Sequence, residues 1–134
     1  MRCLYLNDRA FGELCISRTM NRMIEAADAK DYVFFDRGII DPIAYYDYAV
    51  MDAPAHWTRA AESFRFNTKV FLVPPCPDIF ENDAERGHSF DDALAQYKVL
   101  PKTFERFGYT SVLVPKAPVV ERADFILRAL AIPV

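Results

Sequence analysis

The sequence predicts an α/β fold in which helices cover both faces of a mainly parallel sheet, giving three α/β/α layers. Three short apolar runs carry this prediction, and they lie at residues 32–35, 69–73 and 111–114. Because polar and apolar residues do not alternate in them, they are typical of strands buried on both faces, as in a parallel sheet. Segments with helical periodicity separate the runs, and strands that alternate with helices form layered α/β domains.

The length and composition indicate a single domain over residues 1–134. The chain is 52% apolar and 26% charged, which excludes bulk disorder. No apolar run approaches the roughly 20 residues that cross a bilayer, and polar residues follow Met1 too soon for a signal peptide. The three cysteines are not closely spaced, as is typical of reduced thiols. We therefore expect a cytoplasmic protein without membrane contact.

The charge pattern argues against nucleic acid as a partner. The formal net charge is −3, and the 16 lysine and arginine residues are scattered along the chain. Proteins that bind nucleic acid electrostatically usually carry a basic excess in one patch. A small anionic ligand remains compatible with this charge.

Apolar periodicity and terminal signals predict five helices. The first shows apolar residues at steps of three and four. In the second, Asp41 is expected to be the N-cap and Pro42 the first helical residue. Ser89 is expected to cap the fourth, which Pro101 should kink or divide. The predicted helices cover residues 8–28, 41–50, 54–66, 90 to the turn at 108, and 119–130.

Polar residues follow the first apolar run where the predicted strand ends. Ligands of open α/β sheets bind outside the carboxyl ends of the strands, so Asp36, Arg37 and Gly38 are candidate site residues. Asp36 is suited to hold Mg²⁺ through water or to accept a substrate proton. The fork of donors on Arg37 suits phosphate, and Asp41 is a candidate for holding a substrate hydroxyl. The alternatives are that Asp36 only ends a strand, Arg37 is a surface residue and Asp41 only caps a helix.

Two further cations follow the other predicted strands. Arg86 lies in the charged stretch 81–88, and a flap that closes on phosphate would let it stabilise developing charge. The alternative is a solvated charged helix, the usual meaning of such a run. Lys116 follows the third strand and is placed to approach a nucleotide base or phosphate, although a surface lysine is the simpler interpretation.

In order and spacing, these motifs resemble bacterial P-loop ATPase and kinase-like proteins described as AAA-domain predicted NTPases. The resemblance implies a P-loop NTPase or nucleotide-kinase-like fold, with a Walker A loop after the first of five parallel strands. It implies that Asp36 is a metal-associated carboxylate or base, Arg37 a substrate-side arginine and Arg86 a lid arginine. The parent protein would use ATP and Mg²⁺, and the phosphate acceptor is not specified. The matching segments are 33–41, 70–75, 83–86, 108–118 and 122–125.

The sequence departs from this family on its N-terminal side. Its four glycines are not spaced as GxGxxG or GxxxxGK, so we expect the first βαβ unit, with the Walker A loop, to be absent. In the related kinases the missing strand lies between those corresponding to residues 32–36 and 69–73, which leaves a gap inside the sheet. Each buried N–H or C=O left unpaired there costs about 1–3 kcal/mol. We expect the flanking strands to close directly together, or another chain such as a second copy to fill the gap.

Two functions of different class follow from these patterns. The first is a nucleotide-dependent phosphotransferase or NTPase of unspecified acceptor, in which the 134 residues alone bind no ATP and need no cofactor. The second is a non-catalytic interaction or oligomerisation module derived from the same fold, because a truncated sheet exposes apolar surface. A metal-dependent phosphohydrolase that uses Asp36 is disfavoured, since Gly38 stands where a second acid is needed.

Overall fold

The computed structural model describes residues 8–75 and 90–133. Within these ranges, the helices lie close to their predicted positions, two of the three predicted strands form, and an α/β fold is confirmed. The elements are α1 (Asp8–Ala26), α2 (Ile40–Tyr48), α3 (Ala55–Ser63), β1 (Lys69–Leu72), α4 (Phe90–Arg106), β2 (Thr110–Leu113) and α5 (Val119–Ala129). None of the helices in these ranges is long and apolar enough to cross a membrane.

The two strands form a small parallel sheet. Lys69 lies opposite Thr110 and Leu72 opposite Leu113. The ladder extends at its carboxyl end, where the Val114 N–H donates to the Leu72 carbonyl at 2.9 Å. Parallel strands need a long crossover, and α4 lies in the connection between β1 and β2. The prediction of parallel pairing is therefore confirmed for these two strands.

The strand predicted at residues 32–35 is not formed. No backbone–backbone hydrogen bond joins residues 32–36 to any other described residue. Tyr32, Val33 and Phe34 are 56%, 50% and 60% exposed, so the expected burial on both faces is also wrong. A strand needs a neighbour for its N–H and C=O groups, and β1 pairs with β2 alone in the described sheet. The expectation that the two flanking strands close directly together is wrong for the same reason.

The core lies between the helices and one face of β1. Trp57 of α3 is completely buried, and its ring lies 4.9 Å from that of Tyr46 on α2. Burying a large apolar side chain stabilises the fold by about 1.5–3 kcal/mol. A polar link joins α2 to α4, because Asp47 Oδ2 accepts hydrogen bonds from Thr103 Oγ1 at 2.7 Å and Arg106 Nη1 at 3.0 Å.

Helix α4 runs unbroken through Pro101, so the predicted division at this proline does not occur. A proline inside a helix removes one backbone hydrogen bond and crowds the preceding turn. The packing of α4 on α2 and the burial of Thr103 and Phe104 hold the helix together beyond this point. The predicted cap of α4, Ser89, lies outside the described residues.

Three helices end with a residue of positive φ. These residues are Val50 (φ 55°), Gly108 (φ 86°) and Ala131 (φ 58°). At each, the N–H bonds the carbonyl three residues back, and the next N–H bonds the carbonyl five residues back. This is the Schellman motif, in which glycine is the preferred residue because a Cβ is strained at positive φ. Val50 is the least suited of the three, since it is β-branched.

We expect Val50→Asn to raise the free energy of unfolding by about 0.5–1 kcal/mol, because asparagine tolerates positive φ better than valine. Val50 is 91% exposed, so the change sacrifices no packing. The midpoint of urea unfolding measures the effect. Val120→Asn is the matched control, at a 71% exposed helical valine, and should change stability little. Equal effects of the two changes would contradict strain at Val50.

We expect Gly12→Ala to lower the free energy of unfolding by about 1–3 kcal/mol through overpacking. A Cβ at Gly12 would collide with the fully buried Trp57 ring. Alanine favours a helix over glycine by about 1 kcal/mol, which offsets part of the loss. Asn21→Ala, on the exposed side of α1, is the control without the collision. A Gly12→Ala protein as stable as the original would disprove the tight contact between α1 and α3.

Candidate functional site

A tight loop carries most of the predicted site residues. Residues 36–39 connect segment 32–35 to α2, and together with the first two residues of α2 they are called loop 36–41. The Gly38 N–H donates to Asp41 Oδ2 at 2.8 Å, which closes the loop. A Cβ at Gly38 would lie 2.9 Å from two ring atoms of Phe66, so a larger residue would displace that ring. The loop is thus fixed by one hydrogen bond and one close packing contact.

Asp36 and Arg37 are both exposed at the outer side of this loop. Neither forms an ion pair with another described residue. Arg37 has φ 67°, a conformation that costs a non-glycine residue about 1 kcal/mol or more. The predicted Asp36 and Arg37 site residues are therefore adjacent, solvent-accessible and held on a strained backbone.

The sequence predicted Asp41 as the N-cap of α2, and this prediction is wrong. The N-cap position is Ile39, which makes no side-chain capping bond, and Asp41 lies in the first turn with its carboxylate directed back to Gly38. Burial raises the pKa of the Asp41 carboxyl, and the nearby charge of Asp36 adds to this effect. The Gly38 N–H and the Arg37 guanidinium act in the opposite direction. Asp41 therefore stabilises the loop.

Helix α1 contributes one residue, Cys15, that the sequence did not assign to the site. Burial raises the pKa of the half-buried Cys15 thiol, while Arg18 and Arg37 lower it and Asp41 raises it. The charges of Arg37 and Asp41 act on this thiol, which places Cys15 beside the loop. The raised pKa keeps the thiol protonated near neutral pH, so Cys15 is not an activated nucleophile. In the sequence, position 15 is one of the apolar positions that repeat along α1, which gives no signal for the site.

The remaining predicted residues do not join this cluster. Arg86 lies outside the described residues. Lys116 is exposed in the bend after β2, and no hydrogen bond or ion pair links it to the loop in the described part of the chain. Its neighbours Pro115 and Ala117 line an open cleft of about 700 Å³ against α5.

The described residues offer a single carboxylate for a metal ion rather than a cage. No three histidine, cysteine or acidic side chains come together in residues 8–75 and 90–133 in a way that would hold a metal. Asp36 is the exposed carboxylate of the loop. One carboxylate with waters and substrate phosphates is a common arrangement for Mg²⁺, whereas Ca²⁺ and Zn²⁺ need several protein ligands.

Comparison with known proteins identifies the family. A family model described as an AAA domain matches residues 4–122, which is most of the chain. Neither the curated proteins nor the solved structures contain a match. The match supports the resemblance to AAA-type, P-loop-NTPase-like proteins.

Asp41 makes stability depend on pH in a defined direction. Because its pKa is raised on folding, the folded chain binds more protons than the unfolded chain between the usual carboxyl pKa and the raised value. Stability should fall as pH rises through this window. Asp41→Asn cannot titrate and keeps an oxygen acceptor for the Gly38 N–H, so it should remove this loss. Urea unfolding at a series of pH values measures it.

Asp41→Ala serves as the comparison variant. It also removes the charge but leaves the Gly38 N–H without its acceptor, so it should be less stable than Asp41→Asn by about 1–2 kcal/mol. Equal stability of the two variants would show that the hydrogen bond contributes nothing. An unchanged pH dependence in both would show that Asp41 is not the titrating group.

Proposed function

We propose, because the chain belongs to the AAA domain family, that it forms part of a nucleotide-dependent phosphotransferase or NTPase. The family match supports a nucleotide-binding, NTPase-like protein. Transfer of a phosphoryl group to an acceptor other than water goes beyond what the family match supports. This part of the proposal rests on the chemistry of loop 36–41.

The arrangement of Asp36 and Arg37 carries the proposal. Positive φ at a non-glycine residue persists only where the surroundings fix it, and such residues cluster at functional sites. Here Gly38 and Asp41 fix the loop, so the Arg37 guanidinium and the Asp36 carboxylate leave it at defined positions. A guanidinium beside a carboxylate fits a phosphate group and its metal ion.

Each residue has a separate role in this proposal. Asp36 would hold Mg²⁺ through water or accept the proton of the attacking hydroxyl. Arg37 would bind phosphate oxygens on the substrate side, where Asp41 supports the loop. Arg86 would neutralise charge on the transferred group, and Lys116 would approach the nucleotide beside the cleft at Pro115 and Ala117. Mg²⁺ with ATP would supply the transferable phosphoryl group.

The phosphate-binding loop is the part that these residues do not provide. The sequence has no GxxxxGK[ST] motif, whose backbone N–H groups cradle phosphates in P-loop enzymes. We propose that such a loop is supplied by sequence outside the 134 residues, and that these residues alone bind no ATP. A titration of Mg²⁺-ATP into the chain as it stands should therefore produce no heat of binding.

A second candidate is the interaction module without nucleotide chemistry. The observation that favours it is the exposure of Tyr32, Val33 and Phe34 beside a backbone that has no strand partner among the described residues. Self-association that needs no nucleotide would support this function. Mg²⁺-ATP binding by an extended chain would support the first.

The decisive experiment extends the chain with the reading frame that precedes the Met1 codon. If that frame encodes a strand and GxxxxGK[ST], the extended protein should bind and turn over Mg²⁺-ATP. Asp36→Asn should then lower kcat by at least about 100-fold, because it removes a metal or proton contact. Asp31→Asn, a matched exposed carboxylate at the other end of segment 32–35, should leave kcat within a few fold.

Two results would contradict the proposal. An upstream stop codon with no phosphate-binding motif would separate the 134 residues from any P-loop enzyme. Normal turnover of the extended Asp36→Asn protein would remove Asp36 from the mechanism.

A further inference from the structure

The ring of Phe66 covers the backbone of loop 36–41. Phe66 lies in the connection between α3 and β1, and two of its ring atoms lie 2.9 Å from the point where a Cβ at Gly38 would stand. Its ring also packs edge to face against that of Phe35 at 5.4 Å. The side chain is half-buried and packs on the core. The loop is therefore in contact with a side chain from a distant part of the sequence.

Tyr109 holds Phe66 in this place. Its hydroxyl accepts a hydrogen bond from the Phe66 N–H at 2.9 Å. Tyr109 is 4% exposed, its ring lies edge to face with that of Phe104 at 5.8 Å, and the Arg65 guanidinium lies 4.3 Å from the ring centre. It directly follows Gly108 at the end of α4 and directly precedes β2. The position of Phe66 is thus set where the second strand begins.

Phe66 and Asp41 hold the strained backbone of Arg37 from two directions. The peptide group between Arg37 and Gly38 supplies the N–H that donates to Asp41 Oδ2. For Arg37 to leave φ 67°, this peptide group would have to turn, which breaks the hydrogen bond. The same turn would move the Gly38 Cα against the Phe66 ring. A hydrogen bond and a packed ring therefore both oppose relaxation of the loop.

We propose that Phe66 is a positioning residue for Arg37, and that Tyr109 acts through Phe66. The role in turnover rests on the proposed phosphoryl transfer, whereas the hold on the loop follows from the contacts alone. A guanidinium binds phosphate through two parallel N–H groups, so its direction matters as well as its charge. Misplacing such a group by about 1 Å can cost about 100-fold in rate. A loop that is strained but fixed keeps the guanidinium directed.

Simple core packing is the alternative role of Phe66. A residue that only packs would stabilise the chain without a particular effect on Arg37. The two roles differ in additivity, because the effects of independent residues add, whereas those of residues that act on each other do not. The strain at Arg37 is a measurable quantity for this comparison, since glycine adopts positive φ without a steric penalty.

A double-mutant cycle on the chain as it stands tests the hold on the loop. Arg37→Gly should raise the folding equilibrium constant about fivefold, because it relieves the strain. In the Phe66→Leu protein the loop relaxes, so the same change should raise the constant less than about twofold. Tyr109→Phe keeps the ring but removes the acceptor of the Phe66 N–H, and it should also reduce the gain. Urea unfolding measures each variant.

Phe64→Leu is the matched control. Phe64 lies two residues earlier in the same connection and also packs on the core, whereas the three atoms nearest the Cβ position at Gly38 all belong to Phe66. Phe64→Leu should destabilise the chain and still leave the full gain from Arg37→Gly. A general loss of stability is thereby separated from a loss of hold on the loop.

Turnover tests the role of Phe66 in the extended chain that the proposed function requires. Phe66→Leu should lower kcat/KM at least about tenfold, because the guanidinium loses its direction. Arg37→Ala and Phe66→Leu together should be no slower than Arg37→Ala alone, since both changes remove the same directed group. Phe64→Leu should leave kcat/KM within a few fold.

Three results would overturn the proposal. The first is an Arg37→Gly gain that is equal in the Phe66→Leu and Phe64→Leu proteins. The second is the absence of any gain in the original chain, since there would then be no strain to hold. The third is additive effects of Arg37→Ala and Phe66→Leu on turnover. An extended chain that turns over no Mg²⁺-ATP would instead contradict the proposed function, while the unfolding cycle decides the hold on the loop by itself.

Discussion

The contact between the Trp57 indole and Gly12 is the constraint on which the rest of this structure depends. Trp57 is fully buried against α2 through Tyr46, and the missing side chain at Gly12 lets α1 approach it. The neighbouring His56 Nε2 and Glu13 Oε1 contact joins the same two helices. Because α1 is fixed here, Cys15 lies beside loop 36–41 about one turn later, where the charges of Arg37 and Asp41 act on it.

Loop 36–41 has features that oppose stability, and function is a physical reason to retain them. Arg37 has a strained backbone, and burial raises the pKa of the Asp41 carboxyl, so ionising that group costs more in the folded chain than in the unfolded chain. Neither cost is necessary to connect an extended segment to a helix. The gain is that the Arg37 and Asp36 side chains leave a loop that the Gly38–Asp41 hydrogen bond prevents from relaxing.

The sequence correctly predicted the helices, which have a local periodicity, and the two strands whose partners lie within the chain. Apolar periodicity located the helices, and the runs at 69–73 and 111–114 pair with each other. The run at 32–35 looks the same in sequence, but a strand also needs a neighbour, which composition does not reveal. Gly108 was a visible helix end, whereas Val50 and Ala131 adopt the same conformation without a glycine signal. Cys15 was missed because only tertiary packing brings it to the loop.

The proposed phosphoryl transfer and the unpaired segment 32–35 meet at Asp36. Under this proposal, the strand that leads into the phosphate-binding loop would lie beside residues 32–35, as in the kinases that the chain resembles. It would satisfy the N–H and C=O groups of the segment and cover Tyr32, Val33 and Phe34, which are exposed among the described residues. Since Asp36 and Arg37 directly follow the segment, the same pairing would bring the phosphate-binding loop to them. One neighbouring strand would thus supply both a backbone partner for the segment and a phosphate site for loop 36–41.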